Sequence, residues 1–355
     1  MAELCSKNLS ELRAWFEAEG HPAFRANQVV DWLVRKGVTN WEEMTNLSQS
    51  LRQQLASAIA FPALDLVRTQ DSDDNETIKF LWKLGDGKLV ESVLIMSGTR
   101  RTICVSTQVG CPARCAFCAS GRNGFFRNLS TAEIVEQVVL INAWLLKKGE
   151  RVSHVVYMGM GEPLENLDAV LKSIYWLTDP DLLGLSQRRI TVSTVGVVEG
   201  IKALAATDLR VNLVLSLHAP NQHLRKKLIP YARRYEITDI LAAMESYSEA
   251  TGRDITYEYI LLSGINDQGE HALELAQLLK NRQCTVNLIP YNPVPGLRLE
   301  KPTPEAINAF RNLLDRHRII NTCRYTKGDD IAAACGQLAL QETATTEKAT
   351  LTEQL

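Results

Sequence analysis

The chain has 355 residues, of which 45% are hydrophobic and 23% charged, and its formal net charge is −2 at pH 7. That length suits one large domain plus a small one, and the composition is that of an ordinary globular protein. No apolar run approaches the ~20 residues that a membrane-spanning helix needs, which excludes that class. The weak overall charge does not indicate a nucleic-acid partner, so any such contact must come from local basic runs.

Basic runs do occur, and each by itself is typical of a solvated surface. They are Arg100-Arg101, 122–127, Arg188-Arg189, Arg225-Lys226-Lys227 and Arg233-Arg234. The first residues, Met-Ala-Glu-Leu-Cys-Ser-Lys, carry charge and lack a long apolar core, so we expect no signal peptide. Eight cysteines in a chain of this kind indicate a reducing cytoplasm, where cysteine clusters bind metals or take part in catalysis.

Residues 1–62 are predicted to form a small helical domain. Apolar stripes begin at Leu12, continue over residues 29–33 up to Gly37, and recur every four residues from Leu47 to Ile59. Residues 63–100 differ, because two β-rich runs at 77–84 and 88–95 flank a Gly-Asp-Gly turn. This pattern predicts a β-hairpin extension.

Strand-like and helix-like segments alternate from residue 101 onward. We predict strands at 103–106, 152–158, 189–193, 211–217, 255–261, 285–289 and 321–325, and helices at 131–147, 167–177, 239–249, 271–282 and 304–317. Such alternation predicts an α/β fold, a partial (β/α)6 barrel spanning residues 101–340 whose active site lies at the carboxyl ends of the strands. The polar tail at 341–355 is predicted to be disordered.

Three cysteines lie close together in the run Cys-Pro-Ala-Arg-Cys-Ala-Phe-Cys, at positions 111, 115 and 118. Three thiolates on one loop can hold three corners of a [4Fe–4S] cluster. The fourth iron then lacks a protein ligand and can bind a small molecule and pass it an electron. A zinc site is the alternative, but it requires a fourth ligand, and the nearest candidates are Cys104 upstream and His154 downstream.

The cysteine spacing resembles that of the radical S-adenosylmethionine (SAM) superfamily, and further motifs narrow the resemblance to the RlmN–Cfr family of RNA methyltransferases. It spans roughly residues 10 to 340. The matching stretches are Ala-Phe-Arg-Ala-Asn-Gln-Val at 23–29, Cys-Val-Ser-Thr-Gln-Val-Gly-Cys at 104–111, Gly-Phe-Phe-Arg-Asn-Leu at 124–129, Gly-Met-Gly-Glu-Pro-Leu at 159–164, Ser-Leu-His-Ala-Pro at 216–220, Asn-Leu-Ile-Pro-Tyr-Asn-Pro at 287–293 and Gly-Asp-Asp-Ile-Ala-Ala-Ala-Cys-Gly-Gln-Leu at 328–338.

The resemblance implies two cofactors, one [4Fe–4S] cluster and SAM, of which two molecules are used per turnover. It implies that Cys111, Cys115 and Cys118 hold the cluster. The residues implied in SAM binding are Gly161, Glu162, Ser193, Ser216, Leu217, His218 and Asn292. Val195 stands where the family more usually has serine, which changes no implied ligand.

The resemblance also implies roles for three residues outside the cluster loop. Cys335 matches the cysteine that is methylated first and carries the methyl group as S-methylcysteine. Cys104 matches the cysteine that releases the product by forming a transient disulfide with Cys335. Glu91 matches the proton acceptor, although a glutamate within a strand ordinarily faces solvent.

The implied reaction is methylation of adenine C2 in 23S rRNA, free and before assembly, and in tRNA at an adenine next to the anticodon. An external electron donor such as flavodoxin or ferredoxin is also implied, with no membrane partner and a monomeric chain. Residues 1–62 would bind the RNA or only stabilise the barrel. Two alternatives remain, which are a Cfr-like adenine-C8 methyltransferase and a non-catalytic RNA-binding protein with a structural metal site.

Overall fold

A computed structural model of the chain describes residues 2–122, 124–324 and 327–338. The amino-terminal helices are α1 Leu9–Ala18, α2 Phe24–Val30 and α3 Gln49–Ala58, and the short strands β1 Ala2–Glu3 and β2 Ile59–Ala60 pair in parallel around them. Asn8 accepts from the backbone of Glu11 while the Glu11 carboxylate accepts from Asn8, a reciprocal cap that fixes where α1 begins.

One ten-stranded sheet forms the body of the protein. Its strands are β3 Asp65–Asp71, β4 Thr77–Lys83, β5 Leu89–Ser97, β6 Arg100–Cys104, β9 His154–Tyr157, β10 Ile190–Thr194, β11 Asn212–Ser216, β12 Ile255–Leu261, β13 Cys284–Pro290 and β14 Asn321–Cys323. They lie in the order β14-β13-β12-β11-β10-β9-β6-β5-β4-β3. A separate pair, β7 Gln108–Gly110 and β8 Phe125–Asn128, is antiparallel.

The sheet changes character at β6. The pairs from β3 to β6 are antiparallel, whereas β6 pairs in parallel with β9, and every pair from there to β14 is parallel. The parallel part is the predicted barrel, and its carboxyl strand ends lie at one edge, as parallel register requires. The predicted hairpin is β4 and β5, which extend the barrel sheet directly.

The helices of the barrel connect successive parallel strands. They are α4 Ala119–Arg122, α5 Thr131–Leu146, α6 Leu167–Thr178, α7 Val198–Ala205, α8 Gln222–Leu228, α9 Ile237–Thr251, α10 Gly269–Leu278 and α11 Pro304–Arg316. The sequence prediction missed the helices α4, α7 and α8 and the strands β1, β2, β3, β7 and β8, none of which exceeds eight residues. Residues 341–355, predicted to be a disordered tail, lie outside the described residues, and none of the described helices is long and apolar enough to cross a membrane.

Helix α5 joins the amino-terminal helices to the barrel. The buried carboxylate of Glu136 accepts from the backbone amides of Ala63 at 2.6 Å and Leu64 at 3.2 Å. One turn and a half further on, the Asn142 amide donates to the carbonyl of Val34 at 3.4 Å. These contacts fix the small domain against the first helix of the barrel.

Candidate active site

The cysteine loop begins directly after β7 and is held in place from three sides. The amide of Cys111 donates to the carbonyl of Gly124 at 3.0 Å, that of Ala116 to Leu228 at 2.9 Å and that of Ala119 to Gly336 at 2.7 Å. Gly110 has a φ of +77°, and a Cβ atom there would lie 1.9 Å from the Gly124 carbonyl oxygen. The loop is therefore fixed by the residue that precedes β8 and, from far away in the sequence, by α8 and the carboxyl-terminal turn.

The three cysteines line one cavity of about 130 Å³ at the carboxyl edge of the parallel strands. The cavity is also lined by five of the residues expected to bind SAM, which are Gly161, Glu162, Ser193, Ser216 and His218. Leu217, a sixth, is fully buried and contributes no side chain to the cavity surface. Parallel register thus brings together motifs from four separate βα units.

The donor set of this cavity fits a cluster better than a single metal ion. Burial raises the pKa of Cys111 to about 12 and raises the pKa values of Cys115 and Cys118 as well. Metal coordination is what deprotonates such thiols. Within residues 2–122, 124–324 and 327–338, no three His, Cys, Asp or Glu side chains are grouped to hold one ion. Thiols that hold a cubic cluster each bind a different iron atom, so they need not point at one common position as the ligands of a single ion must.

The Gly-Met-Gly-Glu-Pro turn follows β9 and forms one wall of the cavity. Gly161 has a φ of +112°, and a Cβ atom there would lie 2.7 Å from the Thr107 hydroxyl. Glu162 is 2% exposed, and its two carboxylate oxygens accept from the amides of Leu164 at 3.1 Å and Val195 at 2.8 Å. Burial raises the pKa of Glu162 to about 7. The carboxylate therefore joins two walls of the cavity. Because both of its oxygens are already occupied, the backbone of the turn is the part that can contact a ligand.

Hydroxyl and imidazole groups form the opposite wall. The Ser193 and Ser216 hydroxyl oxygens lie 3.2 Å apart at the ends of β10 and β11. Nδ1 of His218 accepts from the amide of Ile260 at 3.0 Å, so the ring proton is on Nε2. Burial lowers the pKa of His218 to about 3, which keeps the ring neutral. These groups offer donors and acceptors of the kind that suit ribose and adenine edges.

A second cavity of about 220 Å³ adjoins the first. It is lined by Cys104 at the end of β6, by Asn292 after β13, and by Arg324 after β14. Cys335 lines both cavities and is exposed to them. Cys104 and Cys335 thus share this cavity. Burial raises the pKa of Cys104 to about 12, and the charge of Cys335 adds to that increase. Asn292, expected to bind SAM, instead lines this cavity and donates to the Cys335 carbonyl at 3.3 Å.

Glu91 lies in the interior, in contrast to the usual position of a strand glutamate. It is 1% exposed, and its carboxylate lies 3.4 Å from the Lys79 ammonium. It shares a sheet face with Cys104, because Val93 pairs directly with Cys104 and Glu91 lies two residues before Val93 on β5. Glu91 does not itself line either of the two cavities.

Sequence reasoning missed three charged residues at the site. Arg225, placed in a surface run, is fully buried behind the first cavity. Glu258 on β12 is 7% exposed and lines the first cavity, and its carboxylate lies 3.7 Å from the guanidinium of Arg324 in the second. The one available signal was the position of Glu258 inside an otherwise uncharged strand, where a charge requires a partner or a function.

Other basic runs form ion pairs at the surface. Arg127 pairs with Asp86 and Glu133, and Arg234 pairs with Glu165. Arg100, in contrast, is exposed and lines the second cavity. The expected basic surface is thus reduced by pairing, whereas Arg100, Arg324 and Lys327 place positive charge at the second cavity.

Comparisons with known proteins give matches over both the small domain and the barrel. The family described as Ribosomal RNA large subunit methyltransferase N-terminal domain matches residues 2–60, and the Radical SAM superfamily matches residues 105–276. The chain is 65% identical to a probable dual-specificity RNA methyltransferase RlmN 2 of Protochlamydia amoebophila, over 94% of this chain and 93% of that protein. It is 47% identical to a probable dual-specificity RNA methyltransferase RlmN of Gloeobacter violaceus, over 94% of each.

A solved structure supports the same conclusion. The crystal structure of a radical SAM methyltransferase from Sphaerobacter thermophilus superimposes with a TM-score of 0.93 and 42% identity, over 95% of this chain and 99% of that one. This confirms the predicted fold, a radical SAM barrel with a small helical domain. The chain belongs to the RlmN family of radical SAM RNA methyltransferases.

Proposed function

We propose that this protein methylates C2 of adenine in 23S rRNA, free and before assembly, and in tRNA at an adenine next to the anticodon. The observation that carries the proposal is the position of Cys335, which lines both the three-cysteine cavity and the cavity that contains Cys104. Because Cys335 lines both cavities, a group that it receives from a ligand in the first cavity can be passed on to a substrate in the second. The names of the relatives, dual-specificity RNA methyltransferases, support RNA as the substrate.

The first cavity binds the cofactors in this proposal. Cys111, Cys115 and Cys118 hold the [4Fe–4S] cluster, and SAM lies against Gly161, Glu162, Ser193, Ser216 and His218, with Leu217 contributing backbone and Asn292 reaching from the second cavity. Once bound and reduced, the cluster would supply one electron to SAM, and SAM would supply both the methyl group and the means of removing a hydrogen atom. The buried walls exclude water, which would otherwise quench such chemistry.

Cys335 and Cys104 divide the transfer between them. The sulfur of Cys335 takes a methyl group from one SAM, because a thiolate is a far better methyl acceptor than an electron-poor adenine carbon. After loss of one hydrogen atom the carbon on Cys335 forms a bond with C2 of adenine. Glu91 removes the C2 proton. Cys104 then forms a disulfide with Cys335 as the bond between the Cys335 sulfur and the methylene carbon breaks. That carbon takes up a proton to become the methyl group, and the one unpaired electron left over returns to the one-electron donor of the site. Two electrons from outside the protein then restore both thiols.

The second cavity receives the adenine in this proposal. A base must leave its stack to reach a buried carbon donor, and a cavity of about 220 Å³ has the size for one base. Arg100 and Arg324 supply positive charge at its wall, which suits the flanking phosphates. The protein acts in the cytoplasm as a monomer, with flavodoxin or ferredoxin as the electron donor.

Residues 1–62 bind the RNA in this proposal. The guanidinium of Arg25 lies 4.9 Å from the ring centre of Phe24, and the Lys36 ammonium lies 3.7 Å from that of Trp32. Phe24 is 54% exposed, so one face of its ring is accessible to a ligand. Exposed aromatic rings beside cations are the groups on which unpaired bases stack.

The test is to reconstitute the enzyme without oxygen, supply rRNA or tRNA with SAM and reductant, and map the methyl group on the recovered nucleosides by mass spectrometry. We expect 2-methyladenosine from both RNAs. Finding 8-methyladenosine alone would assign the protein to the C8 reaction. Tight zinc binding with no cleavage of SAM would instead support the non-catalytic RNA-binding protein.

Two cysteine variants separate the steps. Cys335→Ala should load the cluster and bind SAM but transfer no methyl group. Cys104→Ala should still methylate Cys335 and then accumulate a covalent protein–RNA adduct, seen as a slow band on a denaturing gel. Cys284→Ala is the matched control, since Cys284 lines neither of the two cavities and should turn over normally. Normal turnover by Cys335→Ala would refute the proposed thioether route.

A further inference from the structure

The side chain of Arg225 lies directly behind the wall of the three-cysteine cavity. It comes from α8 and is 0% exposed. Its Nε atom donates to the carbonyl of Leu217 at 3.1 Å, and its Nη2 atom donates to the carbonyls of Val195 at 2.6 Å and Ser216 at 3.1 Å. Val195 and Ser216 both line the cavity, whereas Arg225 does not, so the guanidinium lies one layer behind its surface.

The positive charge of Arg225 has no matching negative charge in direct contact. Its three hydrogen-bond acceptors are neutral carbonyls, and its Nη1 atom is buried without a hydrogen-bond partner. No carboxylate in the described part of the chain forms an ion pair with it. A buried cation without a counter-charge is strongly unfavourable. Such an arrangement persists in a folded protein when something else supplies the negative charge.

The groups of this cavity that can become negative belong to the cluster site. Cys115 and Glu162 line the same cavity as Val195 and Ser216, whose carbonyls accept from Arg225. The loop itself is tied to the same helix, because the amide of Ala116 donates to the carbonyl of Leu228 at 2.9 Å. Helix α8 therefore fixes both the cation and the cysteine loop that it faces.

We propose that Arg225 is a positioning residue that raises the reduction potential of the cluster held by Cys111, Cys115 and Cys118. The inference rests on the proposed function, since it requires the cluster. A [4Fe–4S] cluster on three thiolates is an anion, and reduction by one electron makes it more negative. A fixed cation close by stabilises the reduced form more than the oxidised form, and charge and hydrogen bonding around a cluster are known to set its potential.

The experiment compares two variants of the full chain, each reconstituted without oxygen. Arg225→Met removes the charge and Arg225→Lys keeps it, while both lose the planar fork that binds three carbonyls. Iron content and absorbance report cluster loading, and a reductive titration followed by electron paramagnetic resonance gives the midpoint potential without RNA or turnover. We expect Arg225→Met to lower the ratio of reduced to oxidised cluster about tenfold at a fixed applied potential, which is ~59 mV for one electron. In Arg225→Lys, the ratio of reduced to oxidised cluster at the same potential should stay within about twofold of the ratio in the original protein.

Several results would overturn the inference. An unchanged midpoint in Arg225→Met would show that the charge does not act on the cluster. An equal shift in Arg225→Lys and Arg225→Met would assign Arg225 to joining three carbonyls and nothing more. Should Arg225→Met not fold, Arg225→Gln keeps an amide donor toward the carbonyls and must show the same lowered midpoint. Lys226→Met, from the same run but paired with Glu236, is the control and should leave the midpoint unchanged.

These outcomes are distinct from failure of the proposed function. A wild-type chain that takes up no iron and shows no reducible cluster would refute the proposed function itself. A wild-type chain with a reducible cluster whose potential ignores residue 225 would refute only the inference about Arg225.

Discussion

Single residues set the shape of the cofactor cavity through backbone conformation as much as through side-chain chemistry. Gly161 combines a left-handed φ with neighbours that leave no space for a Cβ atom. Glu162, next to it, uses both carboxylate oxygens to hold backbone amides on two different walls. The Gly-Met-Gly-Glu-Pro motif therefore builds the cavity wall, because its side chains fix the backbone of the turn.

Replacing Gly161 by alanine should abolish SAM binding while leaving the chain folded. The new Cβ atom would lie 2.7 Å from Thr107 and 2.8 Å from the Gln108 side chain, so the turn must move. Gly87→Ala is the matched control, because Gly87 also has a positive φ of +81° but nothing lies within 4 Å of its Cβ position. That variant should cost only about 1 kcal/mol of folding free energy. Isothermal titration with SAM checks both, and equal affinities for the two variants would contradict this account.

Removing the Glu162 carboxylate should destabilise the protein by about 1–3 kcal/mol for each buried amide that loses its acceptor. Glu162→Ala leaves the amides of Leu164 and Val195 without their acceptor. Glu162→Gln keeps one acceptor oxygen, so its free energy of unfolding should lie between those of the alanine variant and the original protein. Urea unfolding measures the difference, and identical stability of all three proteins would show that the carboxylate does not join the walls.

At the level of secondary-structure elements, α5 connects the small domain to the barrel through a buried carboxyl group. Burial is the main cause that raises the pKa of Glu136 to about 8 from its ordinary value of 4.5. The folded state therefore holds a proton that the unfolded chain releases between those two pH values. The contribution of Glu136 to the free energy of unfolding is therefore fully present below about pH 4.5 and is lost as the pH rises toward 8.

Replacing Glu136 by glutamine should remove this pH dependence. The amide oxygen can still accept from Ala63 and Leu64 but cannot ionise. Linkage of one proton gives a slope of at most about 1.4 kcal/mol per pH unit, so urea unfolding at several values between pH 5 and 8 resolves it. We expect the original protein to lose stability relative to Glu136→Gln across this window. Parallel stability profiles for the two proteins would contradict the prediction.

At the level of the whole molecule, a chain with a net charge of −2 must bind RNA through local features. Many of its basic residues are already engaged, for example Arg101 with Glu150 and Arg127 with Glu133. Phe24 with Arg25, and Trp32 with Lys36, combine an aromatic ring with a cation on the small domain. The role of residues 1–62 can therefore be tested without deleting them, which would uncover the buried face of α5.

Phe24→Ala combined with Lys36→Ala should weaken RNA binding about tenfold or more, since loss of one stacked base alone costs ~1–3 kcal/mol. Loss of a phosphate contact should also reduce the salt dependence of binding by about one unit of slope. Fluorescence anisotropy with a labelled tRNA anticodon stem-loop measures both quantities. Ile320→Ala, which removes an apolar side chain that is 68% exposed elsewhere, should bind as before. RNA affinity unchanged in the double variant would assign residues 1–62 to stabilising the barrel.

The sequence by itself determined the cysteine loop, the alternation of strands and helices, the hairpin and the family. Helices and turns are held by hydrogen bonds between residues close in the chain, so the spacing of apolar and turn-forming residues predicts where these elements lie. The resemblance to the family also implies roles for Cys104 and Cys335, which lie far apart in the sequence.

Only the tertiary structure decided which charges are buried and which cavities meet. Glu91 and Arg225 lie in sequence contexts typical of a surface, yet both are buried, because strands and helices far away in the chain cover them. The meeting of two cavities at Cys335 depends on a carboxyl-terminal turn packing beside the cysteine loop, where the amide of Ala119 donates to Gly336. Burial and the fields of distant charges are properties of packed neighbours, and a linear sequence does not specify those neighbours until it has folded.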